Sequence, residues 1–258
     1  MRNRGMNSLE IAKLQFRHLL VRLDFWIVIV TLLAFFSVIL KGVGEGLRAM
    51  EQSVSAWEVL PGLFSNPDVL FLVLIGSLFL ISDIPRGHAG YEVQVLRASR
   101  GAWHGAQWIY AALPGVVYYL LLNLSAILFY LPALNVSVTS SRCGTAGDLL
   151  WIWLSYLVLF VLATVFLAGV CCICNLLSLP AGVGILIDGI LLFLYLLSVS
   201  GRSIGILSPI EVYSKYTGQS VTGFVTTVLY FLVLNTVLFV VGAWSVKHKD
   251  IIFEASRS

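Results

Sequence analysis

Long stretches without a charged residue are the feature that most restricts what this chain can fold into. Six intervals contain no Asp, Glu, Lys or Arg: 25–40, 69–82, 101–141, 149–187, 189–201 and 216–246. A helix that crosses a bilayer needs about 20 apolar residues. Only 11% of the residues are charged, against roughly 25% in an ordinary soluble domain. The sequence therefore predicts an all-α membrane protein.

Helix-breaking residues divide these intervals into six predicted transmembrane helices within one domain, 1–258. Asn175, Pro180 and Gly182 predict a tight hairpin between two helices. Pro67 predicts the first turn of the second helix and Pro114 a kink in the third. The predicted spans are 25–41, 66–83, 106–131, 149–177, 182–200 and 223–246.

The distribution of Lys and Arg predicts which ends of these helices face the cytosol. With both termini inside, eleven of the 16 Lys and Arg residues lie on the inner side, as the positive-inside rule favours. The segments 42–65, 132–148 and 201–222 then face outward. We expect no cleavable signal peptide, because the first apolar run begins only at residue 25. The net charge of +3 is explained by this orientation, and we predict no nucleic-acid partner.

Residues 7–23, before the first span, show the pattern of an amphipathic helix. Asn7 and Glu10 have the spacing of a helix cap, and Lys13 and Arg17 share the polar face with Glu10. The predicted apolar face consists of Leu9, Ala12, Phe16, Leu19, Leu20 and Leu23. Such a helix can lie along the cytoplasmic leaflet, or it can be a basic flank that only enforces orientation.

The segment "DIPRGHAGYEVQVLRASRGAWHGAQW", residues 83–108, is a charged and aromatic interruption between two apolar runs. Residues 91–100 predict two to three helical turns, with Gly101 as their end. A helix this short needs lipid or a protein surface to be stable. Trp103 and Trp108 follow, where indoles favour the lipid headgroup zone. A protein-docking helix and an interfacial loop carrying orientation charges both fit this composition.

The amphipathic helix, the six spans and the short cytoplasmic helix between the second and third spans together resemble the permease subunits of bacterial type-2 ABC transporters. "QVLRASRGAWHGAQWIY" is similar to the "LR-x-S-R-x-x-W-x-x-x-Q/K" lead into their third span, and "WSVKHKDIIFEASRS" is similar to their short basic tails. The resemblance implies a coupling helix that docks on a cytoplasmic ATPase subunit. Its residues would be Tyr91, Glu92, Val95, Leu96, Arg97, Ser99 and Arg100, with Trp103 anchoring its exit. His88 and Ala89 depart from the glutamate of many relatives, and Arg100 and Gly101 from their proline.

The resemblance also implies partners, location and activity. The chain would sit in the bacterial plasma membrane as a multi-pass subunit beside a second permease copy, identical or homologous. ATP and Mg would bind to the partner ATPase, and this chain would have no cofactor of its own. The expected activity is export of an amphiphilic substrate such as a peptide, lipid or drug. The region 201–222 often helps to close the outer exit in this family, although an ordinary surface loop is equally compatible with its sequence.

The residues themselves predict no catalytic activity in this chain. It contains no G-x-x-x-x-G-K-[ST] or H-E-x-x-H motif, so ATP hydrolysis would need another polypeptide. An intramembrane hydrolase therefore has no candidate constellation. A sensor or assembly scaffold that docks a cytoplasmic regulator, without transport, is the alternative function.

Two intramembrane features carry possible chemistry. Asp188 is a lone acid inside a predicted span, where it suggests an ion or substrate path or a protonated acid. A structural hydrogen bond to Asn235, Asn123 or Thr164 is the other interpretation. Cys171, Cys172 and Cys174 form a cluster in which a soft-metal site is conceivable. Without a nearby His or Met, we interpret the cluster as packing and expect no metal.

Overall fold

The computed structural model describes residues 7–49, 67–81, 99–125, 128, 146–177, 179–180, 182–199, 209–214 and 220–248. Within these ranges the chain forms eight α-helices and no strand. The helices are α1 (Ser8–Val21), α2 (Leu23–Ala49), α3 (Pro67–Ile81), α4 (Arg100–Ser125), α5 (Ala146–Leu176), α6 (Val183–Val199), α7 (Pro209–Ser214) and α8 (Val221–His248). The predicted all-α class is confirmed for this part of the chain.

Three of these helices are long and apolar enough to cross a membrane: α4, the Leu150–Leu176 part of α5, and α8. The number rises to four if α1 and the beginning of α2, which meet at an angle of 67°, form one bent span. Helices α3 and α6 have 15 and 17 residues. At 1.5 Å per residue they measure only about 22 and 26 Å, against about 30 Å of hydrocarbon. Six spans and their orientation therefore remain predictions.

The predicted tight turn between two helices at residues 175–182 is confirmed, whereas the assignment of both helices as membrane spans stays a prediction. Helix α5 ends at Leu176 and α6 begins at Val183. The backbone N–H of Leu179 donates to the carbonyl of Cys174 at 3.1 Å, which caps the end of α5. Gly182 has a φ of +92°, a conformation that glycine adopts at little cost. The hairpin is therefore built from the local signals that predicted it.

The outward segment predicted from residue 42 begins as helix and not as loop. Helix α2 continues through Gly42 to Ala49, although the glycines at 42, 44 and 46 suggested the start of a loop. Each glycine inside a helix costs only about 1 kcal/mol relative to alanine, and glycines alone do not end a helix as proline does. The remaining residues of the predicted external segment, 50–65, lie outside the described residues.

Helix α5 lies at the centre of the bundle and contacts α3, α4, α6, α7 and α8. In the most apolar 18 residues of α5, 67% of the residues are buried, whereas only 17% are buried in the corresponding stretch of α8. Leu159, Phe160, Ala163 and Leu167 on α5 are fully buried. The other helices therefore pack around α5, and α8 contributes one face to the bundle.

Glycines mark the places where neighbouring helices approach most closely. A Cβ atom on Gly184 of α6 would lie 2.8 Å from the Cα atom of Cys171 on α5. A Cβ atom on Gly242 of α8 would lie 2.6 Å from Cε1 of His104 on α4. Small residues allow such close backbone contacts between membrane helices. Further close approaches occur at Gly105, Gly115 and Gly169.

The amphipathic helix α1 packs along α4. Its predicted cap is confirmed: Asn7 Oδ1 accepts from the N–H of Glu10 at 2.9 Å, and Glu10 Oε2 accepts from the N–H of Asn7 at 3.1 Å. The predicted apolar face is partly wrong, because Leu9 is 51% exposed while Gln15 is buried. The buried stripe consists of Ile11, Ala12, Gln15 and Leu19. Contact with α4, and not hydrophobicity alone, decides which face is buried.

We expect Gly184→Ala to destabilise the protein, because its methyl group would force the backbones of α5 and α6 apart. Overpacking of this kind costs about 1–3 kcal/mol. The measurement is thermal unfolding of the purified protein in detergent. Gly189→Ala is the matched control on the same helix, since a Cβ atom there would have no heavy atom within 4 Å. Equal loss of stability in both variants would contradict the close approach.

Candidate functional site

The segment that the sequence predicts to contact an ATPase is described only at its end. Ser99, Arg100 and Trp103 lie among the described residues, and Ser99 and Arg100 are exposed. The other predicted contact residues, Tyr91, Glu92, Val95, Leu96 and Arg97, lie outside the described residues. The site is therefore built from the first turns of α4 and from what they contact.

Ser99 fixes where α4 begins. Its Oγ accepts a hydrogen bond from the N–H of Ala102 at 3.2 Å, and its carbonyl accepts from the N–H of Trp103 at 2.9 Å. This is the geometry of an N-cap residue. The expectation that Gly101 interrupts the helix is wrong, because Gly101 lies in the first turn of α4. Helix α4 consequently begins at Arg100, ahead of the predicted span 106–131, and runs without a break across Pro114.

Arg100 connects the beginning of α4 to the end of α8. Its Nη1 donates to the carbonyl of Lys247 at 2.9 Å and to that of Val246 at 3.4 Å. The last carbonyls of a helix lack partners within the helix, and a cation is favourable there. The N-terminal end of α4 and the C-terminal end of α8 therefore lie on the same side of the protein.

His104 continues this connection one turn further along α4. Its Nε2 donates to the carbonyl of Phe239 at 3.0 Å, and the two rings have centroids 4.8 Å apart. Trp108 follows at the next turn, with its ring centroid 5.6 Å from that of Phe239. Arg100, His104 and Trp108 recur at a spacing of four residues, so they share one face of α4. That face is the contact with α8.

Trp103 lies inside the bundle, contrary to the predicted position in the headgroup zone. Its side chain is completely buried and belongs to the same apolar core as Ile11 and Ala12 of α1. Tertiary packing with α1, which the sequence pattern of one helix cannot reveal, accounts for this difference. The first turn of α4 is thus held both in the core and against α8.

A small pocket lies between α4 and α5 near this contact. Its lining consists of Gln107, Trp108, Ala111, Val165, Ala168, Gly169 and Cys172. The cavity volume is about 10 Å³, about enough for one water molecule. The pocket is too small to hold an amphiphilic substrate within a single chain.

Asp188 is completely buried between α6 and α5, where the Sγ–H group of Cys171 donates to its Oδ2 at 3.1 Å. Asp188 and the cysteine cluster are separate features of the sequence, and the fold brings Asp188 and Cys171 into contact. Gly184, one turn before Asp188, permits this contact because it lets the two backbones approach. The acid is therefore part of the hairpin interface.

The three polar partners suggested for Asp188 are wrong. Asn235 donates to the carbonyl of Leu162 at 3.2 Å, and Thr164 donates to that of Phe160 at 2.9 Å. Asn123 donates to the carbonyl of Tyr119 and accepts from the indole N–H of Trp153. Each of these side chains forms its bonds within or between α4, α5 and α8, none of them with α6.

The cysteine cluster consists of buried free thiols at Cys171, Cys172 and Cys174. In the part of the chain that the structure describes, no group of three or more His, Cys, Asp and Glu side chains is arranged to hold a metal ion. The interaction that the described residues show at this place is the hydrogen bond from the Cys171 thiol to the Asp188 carboxyl group.

Sequence reasoning missed a second polar cluster, formed by four buried tyrosines on four helices. They are Tyr119 of α4, Tyr156 of α5, Tyr195 of α6 and Tyr213 of α7. The rings of Tyr156 and Tyr213 have centroids 6.5 Å apart. Through Tyr213 and the buried Ile210, α7 in the predicted external segment 201–222 packs against α5, α6 and α8. The tyrosines lie too far apart in the sequence for any spacing rule to group them.

Comparison with known proteins adds no assignment: no protein-family model, curated protein or solved structure matches this chain. Two geometries among the described residues remain as the basis for a function. One is the contact of α4 with α8, and the other is the buried pair of Asp188 and Cys171.

We expect the contact between His104 and Gly242 to appear as a coupling free energy in a double-mutant cycle. Gly242→Ala should destabilise the wild-type protein by about 1–3 kcal/mol through overpacking against the imidazole. In a His104→Ala background the added methyl has space, so the same change should cost little. The measurement is the unfolding transition of all four proteins. Additive effects of the two substitutions would show that the helices do not meet at these residues.

Proposed function

We propose that this chain is the membrane-spanning permease subunit of an ATP-driven exporter of the type-2 ABC class, with six spans and both termini in the cytosol. Separate ATPase subunits supply the energy, and a second permease copy, identical or homologous, completes the translocation path. The substrate class is amphiphilic. Closure of the ATPases moves the segment 91–100, and the helices that follow it transmit this movement.

The observation that carries the proposal is the way in which α4 is fixed at its first turn. Ser99 caps α4, so the segment 91–98 joins the chain at the first turn of this helix. Arg100 and His104 hold that end of α4 to α8, and α1 packs along it. A force applied before Ser99 therefore acts on three helices at once, as a coupling element requires.

The shape of α1 and α2 supports an interfacial position for α1. Their axes meet at 67°, so that a spanning α2 leaves α1 near the plane of the membrane surface. The face of α1 that does not contact the bundle exposes Leu9, Leu14 and Val21, together with Lys13 and Arg17. Apolar and basic groups on one exposed surface suit the boundary of an anionic leaflet.

The first test is recovery of a partner. We expect the full-length chain, purified from its native membrane in mild detergent, to bring with it a subunit that binds ATP. Arg97→Glu should lower the substrate-stimulated ATPase activity of the complex at least tenfold while leaving insertion intact. Position 97 is preferred to Arg100, since the Arg100 side chain also bonds within the chain.

Arg17→Glu is the matched control, with the same charge change on the exposed surface of α1, and it should leave coupling near the wild-type value. Recovery of a regulator without any ATP-binding subunit would favour the sensor or scaffold alternative. Equal loss of ATPase activity in both variants would remove the specific role of the segment 91–100.

Topology is tested separately with a membrane-impermeant thiol reagent. An introduced Arg97→Cys should react only when the cytoplasmic face is accessible. The natural Cys143 lies in the predicted external segment 132–148 and should react from the other face, so it serves as an internal control. Cys171, Cys172 and Cys174 are buried and should remain unlabelled. Reaction of both positions from the same face would rule out the proposed orientation.

A further inference from the structure

The carboxyl group of Asp188 has an unusual environment for an acid. The side chain is completely buried, and one oxygen, Oδ2, accepts the hydrogen bond from Cys171. The other oxygen, Oδ1, is also buried and has no hydrogen-bond partner among the residues that the structure describes. Buried carboxyl oxygens in proteins are almost always paired, so Oδ1 needs an explanation.

An ionised carboxylate is poorly supported at this position. A buried charge needs an opposite charge or several hydrogen bonds to offset its loss of hydration, and here there is one bond from a thiol. Helices α3, α5, α6 and α7, which include every helix that packs closely on α6, contain no Lys or Arg within their bounds. No described cation therefore stands close enough to stabilise the charged form.

The titratable groups that surround Asp188 are themselves acids. Cys171 and Cys174 face it from α5, and ionising either would add negative charge. The described side chains of α3, from Leu70 to Ile81, include no titratable group. Tyr213 is the described titratable side chain of α7. The described titratable groups that face Asp188, Cys171 and Cys174, thus favour a neutral carboxyl.

A metal ion does not fit the same position. Ca²⁺ takes six to eight oxygen ligands and Mg²⁺ about six, and a structural Zn²⁺ site needs four ligands. Asp188 and the thiols of α5 do not form a group of even three ligands among the described residues. A proton needs a single oxygen, which Oδ1 provides.

We propose that Asp188 is an occluded proton-binding site: Oδ1 carries a proton while Oδ2 accepts the thiol hydrogen of Cys171. The proton comes from water and returns to water, so no other reactant is required. It can leave only when α5 and α6 separate enough to hydrate the carboxyl group. Asp188 lies six residues after Gly182, about 9 Å along α6 from the turn of the hairpin, so a small opening of the hairpin would suffice.

This inference does not depend on the proposed transport function. The packing of the α5–α6 hairpin and the protonation of one carboxyl group are linked, whatever the chain transports or senses. A movement that breaks the bond between Cys171 and Asp188 would release a proton on the side of the hairpin. Conversely, a high proton concentration on that side would favour the closed hairpin.

The test is infrared spectroscopy of the full-length protein in lipid at neutral pH, where ordinary carboxyl groups are ionised. We expect a carbonyl band of a protonated carboxylic acid in the wild type and its loss in Asp188→Asn, which keeps the shape and neutral charge of the acid. Asp148→Asn, on α5, is the matched control and should retain the band. Should Asp188→Asn fail to accumulate, ¹³C-aspartate labelling of the wild type assigns the band by its isotope shift, and Asp188→Glu should remove that shift.

The hydrogen bond from Cys171 provides a second readout. Cys171→Ala removes the donor to the carbonyl oxygen and should move the band to higher wavenumber, whereas Cys171→Ser retains a donor and should not. A spectrum of the wild type without an acid band at neutral pH would overturn the proposal. So would a band that persists in Asp188→Asn, since it would belong to another carboxyl group.

Discussion

Close helix contact through glycine is the constraint on which the rest of this structure depends. Within lipid, polar side chains must find partners inside the protein, and helices must approach closely for those partners to meet. Gly184 stands where Cys171 meets Asp188, and Gly242 stands where His104 meets α8. Each glycine removes the Cβ atom that would hold the two helices apart. The interhelical hydrogen bonds and the small residues are therefore one feature of the fold.

The contact of α4 with α8 explains why charge and aromatic residues gather at the beginning of α4. Arg100, His104 and Trp108 follow one another along the same face and each meets α8. The Arg100 side chain donates to the carbonyl groups of Val246 and Lys247 at the end of α8. The last carbonyl groups of a helix have no partner within that helix. Within the described residues, this arginine, histidine and tryptophan thus hold α4 against α8.

Local signals predicted local structure, and they failed where a second helix decides the outcome. The hairpin at Pro180 and Gly182 and the cap at Asn7 depend on neighbouring residues, so the sequence contained them. The burial of Gln15 and Trp103 depends on the packing of α1 against α4, which no single-helix pattern contains. The sequence did contain a signal from which the pairing of Cys171 with Asp188 could have been predicted. Both are eight residues from the Leu179–Pro180 turn, and an antiparallel hairpin brings equidistant residues to one level.

Helix α5 connects the contact between α4 and α8 to the buried pair of Asp188 and Cys171. Gly169 of α5 lies against Trp108 of α4, and Cys171, two residues later, lies against α6. At 3.6 residues per turn, positions two apart point to nearly opposite sides of a helix. A rotation of α5 that follows a movement of α4 would therefore also move the thiol relative to Asp188. Packed interfaces change between discrete arrangements and do not deform gradually. The contact with Trp108 and the contact with Asp188 therefore depend on the position of the same helix.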